Sequence, residues 1–281
     1  MPFTPIFKSE ISNNALKEKG YAVVPYLKEV EIKELSDFFY QNHPNLPEGM
    51  YASSHAKDFA FRQKMNDKIQ SVCKRAAAEN FQEAKVLGAT FMVKSKGGNG
   101  ALQPHQDWNI VNEKQFNSYN IWLPLVDVDE DNGTLLILPD SHQWFKNIRG
   151  QNIPSSYENV TDEVWKYLRP IKMKAGEALI YDHRLLHASD INKNEEPRLV
   201  IVSGLIPEAA EMRYYYGREN NIEEYACTPE FYFNENINEG PKGLKLIQSF
   251  PDRNPTVSLL ELHNVYEPKI SFLQRLKGYF K

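Results

Sequence analysis

Near residue 86 the hydrophobic period of this chain changes from three-to-four residues to two, and that switch constrains the fold more than any other feature. Before it, Ile32, Leu35, Phe38 and Phe39 recur at helical spacing within Val30–Asn42, where early glutamates suit the N-terminal dipole. Within Asp58–Phe81, Phe61, Met65, Ile69, Val72, Cys73 and Ala76 step by three or four and make one apolar stripe. The stripe reads as core packing, with Cys73 as a buried small hydrophobe. After the switch, short strands are expected at Val86–Lys94, Tyr119–Val128, Thr134–Leu138, Ala178–Tyr181 and Arg198–Ile206. A helix is expected over Val160–Leu168, and Asp131-Asn132-Gly133 reads as a hairpin turn because Asn-Gly tolerates positive φ.

Helices followed by many short strands predict a mainly β fold with helical decorations. The core is expected to be a double-stranded β-helix (a jelly roll, cupin-like), with N-terminal helices packed on one face. No internal repeat or long flexible linker interrupts the chain, so 1–281 reads as one domain. It divides into a helical part, 1–85, a jelly-roll core, 86–207, and an aromatic C-terminal extension, 208–281.

Composition removes several function classes. The 33 Lys+Arg against 37 Asp+Glu give a net charge of −4, which argues against a nucleic-acid-coating protein. No apolar run is long enough to span a membrane, so no stable membrane insertion is expected. The basic, apolar stretch 268–281 reads as a short surface helix packing on its own domain. Two cysteines exclude a disulfide framework and a Cys-rich zinc site, and a cytoplasmic location is the expectation.

The chemistry begins at Gln103-Pro104-His105-Gln106-Asp107. Residues at i and i+2 of an extended segment point to one side, so His105 and Asp107 can converge on an ion. Seven His and twelve Asp in this length would give ~0.3 such pairs by chance, so His-x-Asp needs context. His187 supplies it, just past an expected strand. Two imidazoles and a carboxylate form a facial triad that leaves open positions on an octahedral Fe(II) for a bidentate cosubstrate and O₂. Arg198 opens the next apolar strand, and its planar fork suits the distal carboxylate of a dicarboxylate.

Competing motifs are weaker. His183 and His187 stand at i, i+4 but lack a His-Glu-x-x-His order, and His183 reads as a flank of the site. His142 is expected to hydrogen-bond within its own turn. Asp127-x-Asp129-x-Asp131 imitates a calcium loop but has Asn132 and Leu138 where Gly and Glu are needed, and reads as a solvated hairpin end.

In this context the sequence resembles the phytanoyl-CoA dioxygenase family of Fe(II)/2-oxoglutarate-dependent oxygenases, from about Glu18 to Pro207. The resemblance rests on Gly20-Tyr21-Ala22-Val23-Val24-Pro25, His105-Gln106-Asp107, the Trp122 strand, Asn132-Gly133-Thr134-Leu135, Leu138-Pro139-Asp140-Ser141-His142, His187-Ala188-Ser189, Asn192 and Arg198. Asp140 and Ala188 stand where the family usually has Gly. The resemblance implies His105, Asp107 and His187 as iron ligands and Arg198 with Ser189 on the 2-oxoglutarate distal carboxylate. It implies Trp122 and Thr90 as pocket walls. The implied reaction is hydroxylation of an unactivated C–H of a small or lipid-like molecule, with O₂ consumed and succinate and CO₂ released. Asp107 argues for hydroxylation, desaturation or cyclisation over halogenation, for which relatives carry a small residue there. The alternatives are a non-catalytic jelly-roll protein that binds a metal or ligand, and a metal-dependent hydrolase that uses the triad to activate water. Substrate contacts are expected from the N-terminal helices, residues 95–104 and Tyr214–Arg218, with Lys94, Lys96, Arg213 and Arg218 either receiving an anionic substrate or lying solvated on the surface.

Overall fold

The computed structural model describes the chain except residues 1–2, 47, 98–99, 235–238 and 267–281; the expected helix at 268–281 therefore lies outside the described residues. Three helices precede or interleave with the first strands: α1 (Glu10–Lys19), α2 (Glu29–Asn42) and α3 (Phe59–Asn80). Ser9 caps α1 by accepting the Ser12 amide, and Asp58 caps α3 by accepting the Ala60 amide. Between them lie β1 (Tyr21–Pro25) and β2 (Met50–Ala52), so the N-terminal part, expected as helix, also contributes two strands. The helical pattern there overshadowed five- and three-residue strands too short to show a period.

Then follow β3 (Ala84–Lys94), β4 (Leu102–His105), β5 (Tyr119–Pro124), β6 (Leu135–Ile137), α4 (Thr161–Tyr167), β7 (Arg169–Pro170), β8 (Glu177–Asp182), β9 (His187–Ser189) and β10 (Arg198–Pro207). Six strands make one sheet in the order β1-β8-β5-β10-β3-β2, and four make a second in the order β4-β9-β6-β7. These two sheets are the jelly roll. A third sheet, β11 (Arg213–Arg218), β12 (Asn221–Ala226) and β13 (Lys245–Pro251), with α5 (Pro229–Asn234), follows in the C-terminal extension.

The larger sheet is buried on both faces. Its outer face (Phe91, Val93, Ile121, Leu123, Ile180, Leu199, Ile201) packs against Leu35 and Phe39 of α2 and Met65, Ile69, Cys73 and Ala76 of α3. Full burial of each large apolar side chain stabilises by about 1.5–3 kcal/mol. This explains why Leu199–Val202 reads as a continuous apolar run and does not alternate. The inner face carries Met92, Trp122, Leu179, Tyr181, Val200 and Val202 against Leu135 and Ile137 of the smaller sheet. Among the described residues no helix is long and apolar enough to cross a membrane.

Asp131-Asn132-Gly133 is a turn but not a hairpin. The flanking strands β5 and β6 lie in different sheets. β5 stops at Pro124, short of the expected Val128, and Val128 instead bridges Met173 as the chain crosses between layers. Asn132 supplies the turn bonds by accepting the Asp129 amide and donating to Asp127 O. Gly133 has φ +75°, and a Cβ there would sit 2.6 Å from Asp190 O. Asp140, where glycine is usual in the resembling family, has φ +68°, a left-handed conformation that Asp tolerates better than most residues.

Candidate metal and cosubstrate site

β4 and β9 pair antiparallel with His105 directly opposite His187, and their rings lie 4.2 Å apart. Asp107 follows β4 in a segment fixed by its own amide, which donates to His183 O at 2.9 Å. One ligand atom from each of His105, Asp107 and His187 lies within 4.8 Å of the others. His105 Nε2 is 3.9 Å from Asp107 Oδ1, and His187 Nε2 is 3.6 Å from Asp107 Oδ2. These separations are too long for hydrogen bonds and suit donors arranged around a common ion.

The protein orients each ligand. Both imidazoles make the same bond, Nδ1 to the carbonyl two residues back: Gln103 O at 2.7 Å and Leu185 O at 2.9 Å. The carbonyl accepts, so Nδ1 carries the proton and Nε2 presents its lone pair. Asn120 of β5 donates to Asp107 Oδ2 at 2.8 Å and lies 3.2 Å from the Tyr181 hydroxyl. Burial raises the Asp107 carboxyl, but His187, His183, His105 and the Asn120 amide outweigh it and hold the group below its ordinary range. Burial, then the neighbouring His105, pushes the His187 imidazole down to about 4. Two imidazoles aimed through Nε2 and a carboxylate are the donor set a divalent iron takes, so these residues fit that metal.

A second, cationic end is connected to the triad through Ser189 of β9, whose hydroxyl accepts from Lys94, the residue opposite Arg198. Arg198 starts β10 on the inner face and is 2% exposed, with Cζ 5.4 Å from the Trp122 ring centroid. Its Nε and Nη1 have no hydrogen-bond partner among the described residues. Buried, unpaired guanidinium N–H groups are costly without an anion, and burial lowers this group to about 10. Ser189 lies two residues past His187 and is equally buried. Thr90 shares the inner face, being opposite Val202, but its hydroxyl is engaged by the Ser53 hydroxyl and the Ser54 amide, both at 2.9 Å.

The structure thus brings His105, Asp107 and His187 together, and sets Arg198 against Trp122. Lys94, left open as surface charge, is fully buried. Lys96 pairs with Glu195, Arg213 with Glu211 and Glu224, and Arg218 with Glu223, so these three cations are neutralised within the chain. His142 Nε2 lies 3.4 Å from Gln143 Nε2 in its own turn and also bonds Lys17 O of α1 at 3.2 Å. His183 flanks the site, its Nδ1 3.0 Å from the Ser118 hydroxyl. Asn120 and Tyr181 were not anticipated; counting back by two along the strand from Trp122 would have reached Asn120.

A buried network backs the ligand segment. Arg149 Nε donates to Asp107 O at 2.7 Å, and its Nη2 meets Glu113 at 2.5 Å. Behind it opens a cleft of about 1800 Å³ lined by Asn109, Glu113, Asn117, Asp182 and Arg184, which contains none of the triad.

A family model described as Phytanoyl-CoA dioxygenase (PhyH) matches residues 14–200. The chain is 26% identical over 141 residues to a phytanoyl-CoA dioxygenase domain-containing protein 1 of Danio rerio, covering 47% of each. It is 26% identical over 162 residues to the dioxygenase sphC of Aspergillus fumigatus, covering 55% of this chain and 41% of that one. The chain thus spans about half the length of these curated relatives, or less. The fold is similar to that of the alpha ketoglutarate dependent carbocyclase SnoK, with a TM-score of 0.54 and 16% identity over 73% of this chain and 86% of that one. It is similar also to the epimerase SnoN, solved with Fe3+, alpha ketoglutarate and nogalamycin RO, with a TM-score of 0.54 and 16% identity over 89% and 94%.

Proposed function

The chain belongs to the phytanoyl-CoA dioxygenase family, and from that premise we propose that it is an Fe(II)- and 2-oxoglutarate-dependent oxygenase hydroxylating a C–H bond of a small or lipid-like molecule. One observation carries the reading. A set of two imidazoles and a carboxylate is linked, through Ser189 of β9 and Lys94 bonded to it, to the buried guanidinium of Arg198 with its unpaired N–H groups, as a chelating dicarboxylate requires.

His105, Asp107 and His187 are the proposed iron ligands. When bound, iron with 2-oxoglutarate supplies the power to oxidise an unactivated C–H bond using O₂, with succinate and CO₂ as by-products. The rest is the protein's work. Asn120 and Tyr181 hold Asp107 from behind; burial and the Asp107 charge raise the Tyr181 phenol far above neutrality, so it stays a donor. The Gln103 and Leu185 carbonyls aim the imidazoles. Arg198 and Ser189 take the distal carboxylate, and Trp122 forms a wall under the guanidinium. Thr90 contributes wall rather than a hydrogen bond, because Ser53 and Ser54 occupy its hydroxyl.

Exposure sets the direction of approach. The His105 side chain is 37% exposed and that of His187 only 3%. Substrate therefore arrives on the His105 side, past Gln103 and the Trp165 indole that donates to it at 2.9 Å. We read the chain as one decorated jelly-roll domain, because β1 and β2 are built into the same sheet as the later strands. Two unpaired cysteines, Cys73 and Cys227, agree with a cytoplasmic setting.

The test is anaerobic addition of 2-oxoglutarate to the Fe(II)-loaded protein. The expected result is the weak visible charge-transfer band of the chelate, and its absence overturns the reading.

A further inference from the structure

Lys94 and Arg198 are direct partners across β3 and β10, and both are buried, at 0% and 2% exposure. Such cations are almost never fully buried unless paired. Yet neither enters an ion pair among the described residues. Lys94 Nζ donates to Ser189 Oγ at 2.7 Å and to Asp190 O at 2.6 Å. Both acceptors are neutral, and the third N–H of the ammonium has no protein partner among the described residues. The Asp190 carboxylate is turned elsewhere, accepting the Ile191 amide and facing Lys193 at 4.0 Å. Two positive charges thus meet at one buried spot with no negative charge bonded to either.

We propose that Lys94 is a second cationic contact for the far carboxylate of the cosubstrate, so that Lys94, Ser189 and Arg198 form a two-cation receptor. The proposal rests on the 2-oxoglutarate reading above. Ser189 acquires a defined role in it: its oxygen accepts from Lys94, which leaves its own O–H free to donate outward. Lys94 is held in place by its backbone, since Asn192 Nδ2 donates to Lys94 O at 2.9 Å, and Gly133 leaves room for the lysine stem, which a Cβ at that position would approach to 3.1 Å. Burial, then the charge of Arg198, lowers the ammonium to about 7 despite Asp190, as expected for a cation awaiting an anion.

The experiment compares two ligands on anaerobic Fe(II)-loaded protein by calorimetry at pH 6.5, where Lys94 is mostly charged. One is 2-oxoglutarate; the other is 2-oxopentanoate, which chelates identically but has a methyl in place of the far carboxylate. Lys94→Met is expected to weaken 2-oxoglutarate binding about ten- to hundredfold while leaving 2-oxopentanoate unchanged. Lys94→Gln, which keeps a donor for Ser189 but no charge, is expected to lose a similar factor, and thermal melting checks that both variants fold. Equal loss on both ligands, or no loss on either, overturns the role of Lys94. If the wild-type protein binds neither ligand, the 2-oxoglutarate reading itself fails, and Lys94 with it.

Discussion

His105 and His187 face each other across a single antiparallel rung, each with its Nδ1 bonded to the carbonyl two residues earlier in the chain. The arrangement delivers two aimed lone pairs from one small sheet, and only the carboxylate comes from a loop. Asp107→Ala is therefore expected to leave the fold intact while weakening Fe(II) binding by at least about a hundredfold, measured by metal titration. It should also abolish conversion of 2-oxoglutarate to succinate.

Arg198→Met should separate cosubstrate from metal. It removes the charged fork and its contact with Trp122 but touches no proposed ligand. The expected outcome is a rise of roughly a hundredfold in the KM for 2-oxoglutarate, with Fe(II) affinity unchanged. Equal KM values in variant and wild type would remove the assignment.

Histidine protonation predicts the acid limb of the metal-free protein. His187 titrates near 4 when folded, against an ordinary value of 6.5. Between those values the unfolded chain binds the proton and the folded one does not, so stability is full above about pH 6.5 and falls toward pH 4. The loss is on the order of a few kcal/mol. Thermal melts across this window should show it, and His187→Ala should flatten the slope.

The Arg149–Glu113 pair predicts a dissociation of stability from assembly of the site. Arg149→Met leaves a buried carboxylate unpaired and should cost about 3–5 kcal/mol by denaturant unfolding. Adding Glu113→Gln should restore most of that stability. Iron affinity should stay reduced in the double variant, because the bond from Arg149 to Asp107 O is still missing.

What could be read along the chain was whatever repeats locally. The α2 and α3 stripes, the long strands and the His-x-Asp spacing all lie within short windows, so they were visible in order. Asp140 illustrates the limit: its departure from glycine was evident, but only the φ of +68° shows what the position demands. Lys94 shows another. Nothing near it in sequence says that Arg198 sits across the strand, and a lysine followed by Ser95-Lys96 reads as surface until that pairing is known. The turn at Asp131–Gly133 is legible as a turn, while β6 finds its partners, β7 and β9, more than thirty residues further along the chain, beyond any local pattern.

The division of labour between the two sheets has a mechanical consequence. The proposed metal ligands belong to β4, its following loop and β9 of the four-stranded sheet, while Trp122, Lys94 and Arg198 belong to the six-stranded one. A molecule chelated at one end and held by cations at the other would be a strut between the halves of the sandwich. Metal and 2-oxoglutarate together should then raise the melting temperature by more than the sum of their separate effects, whereas 2-oxopentanoate, which cannot reach across, should add only its chelate contribution.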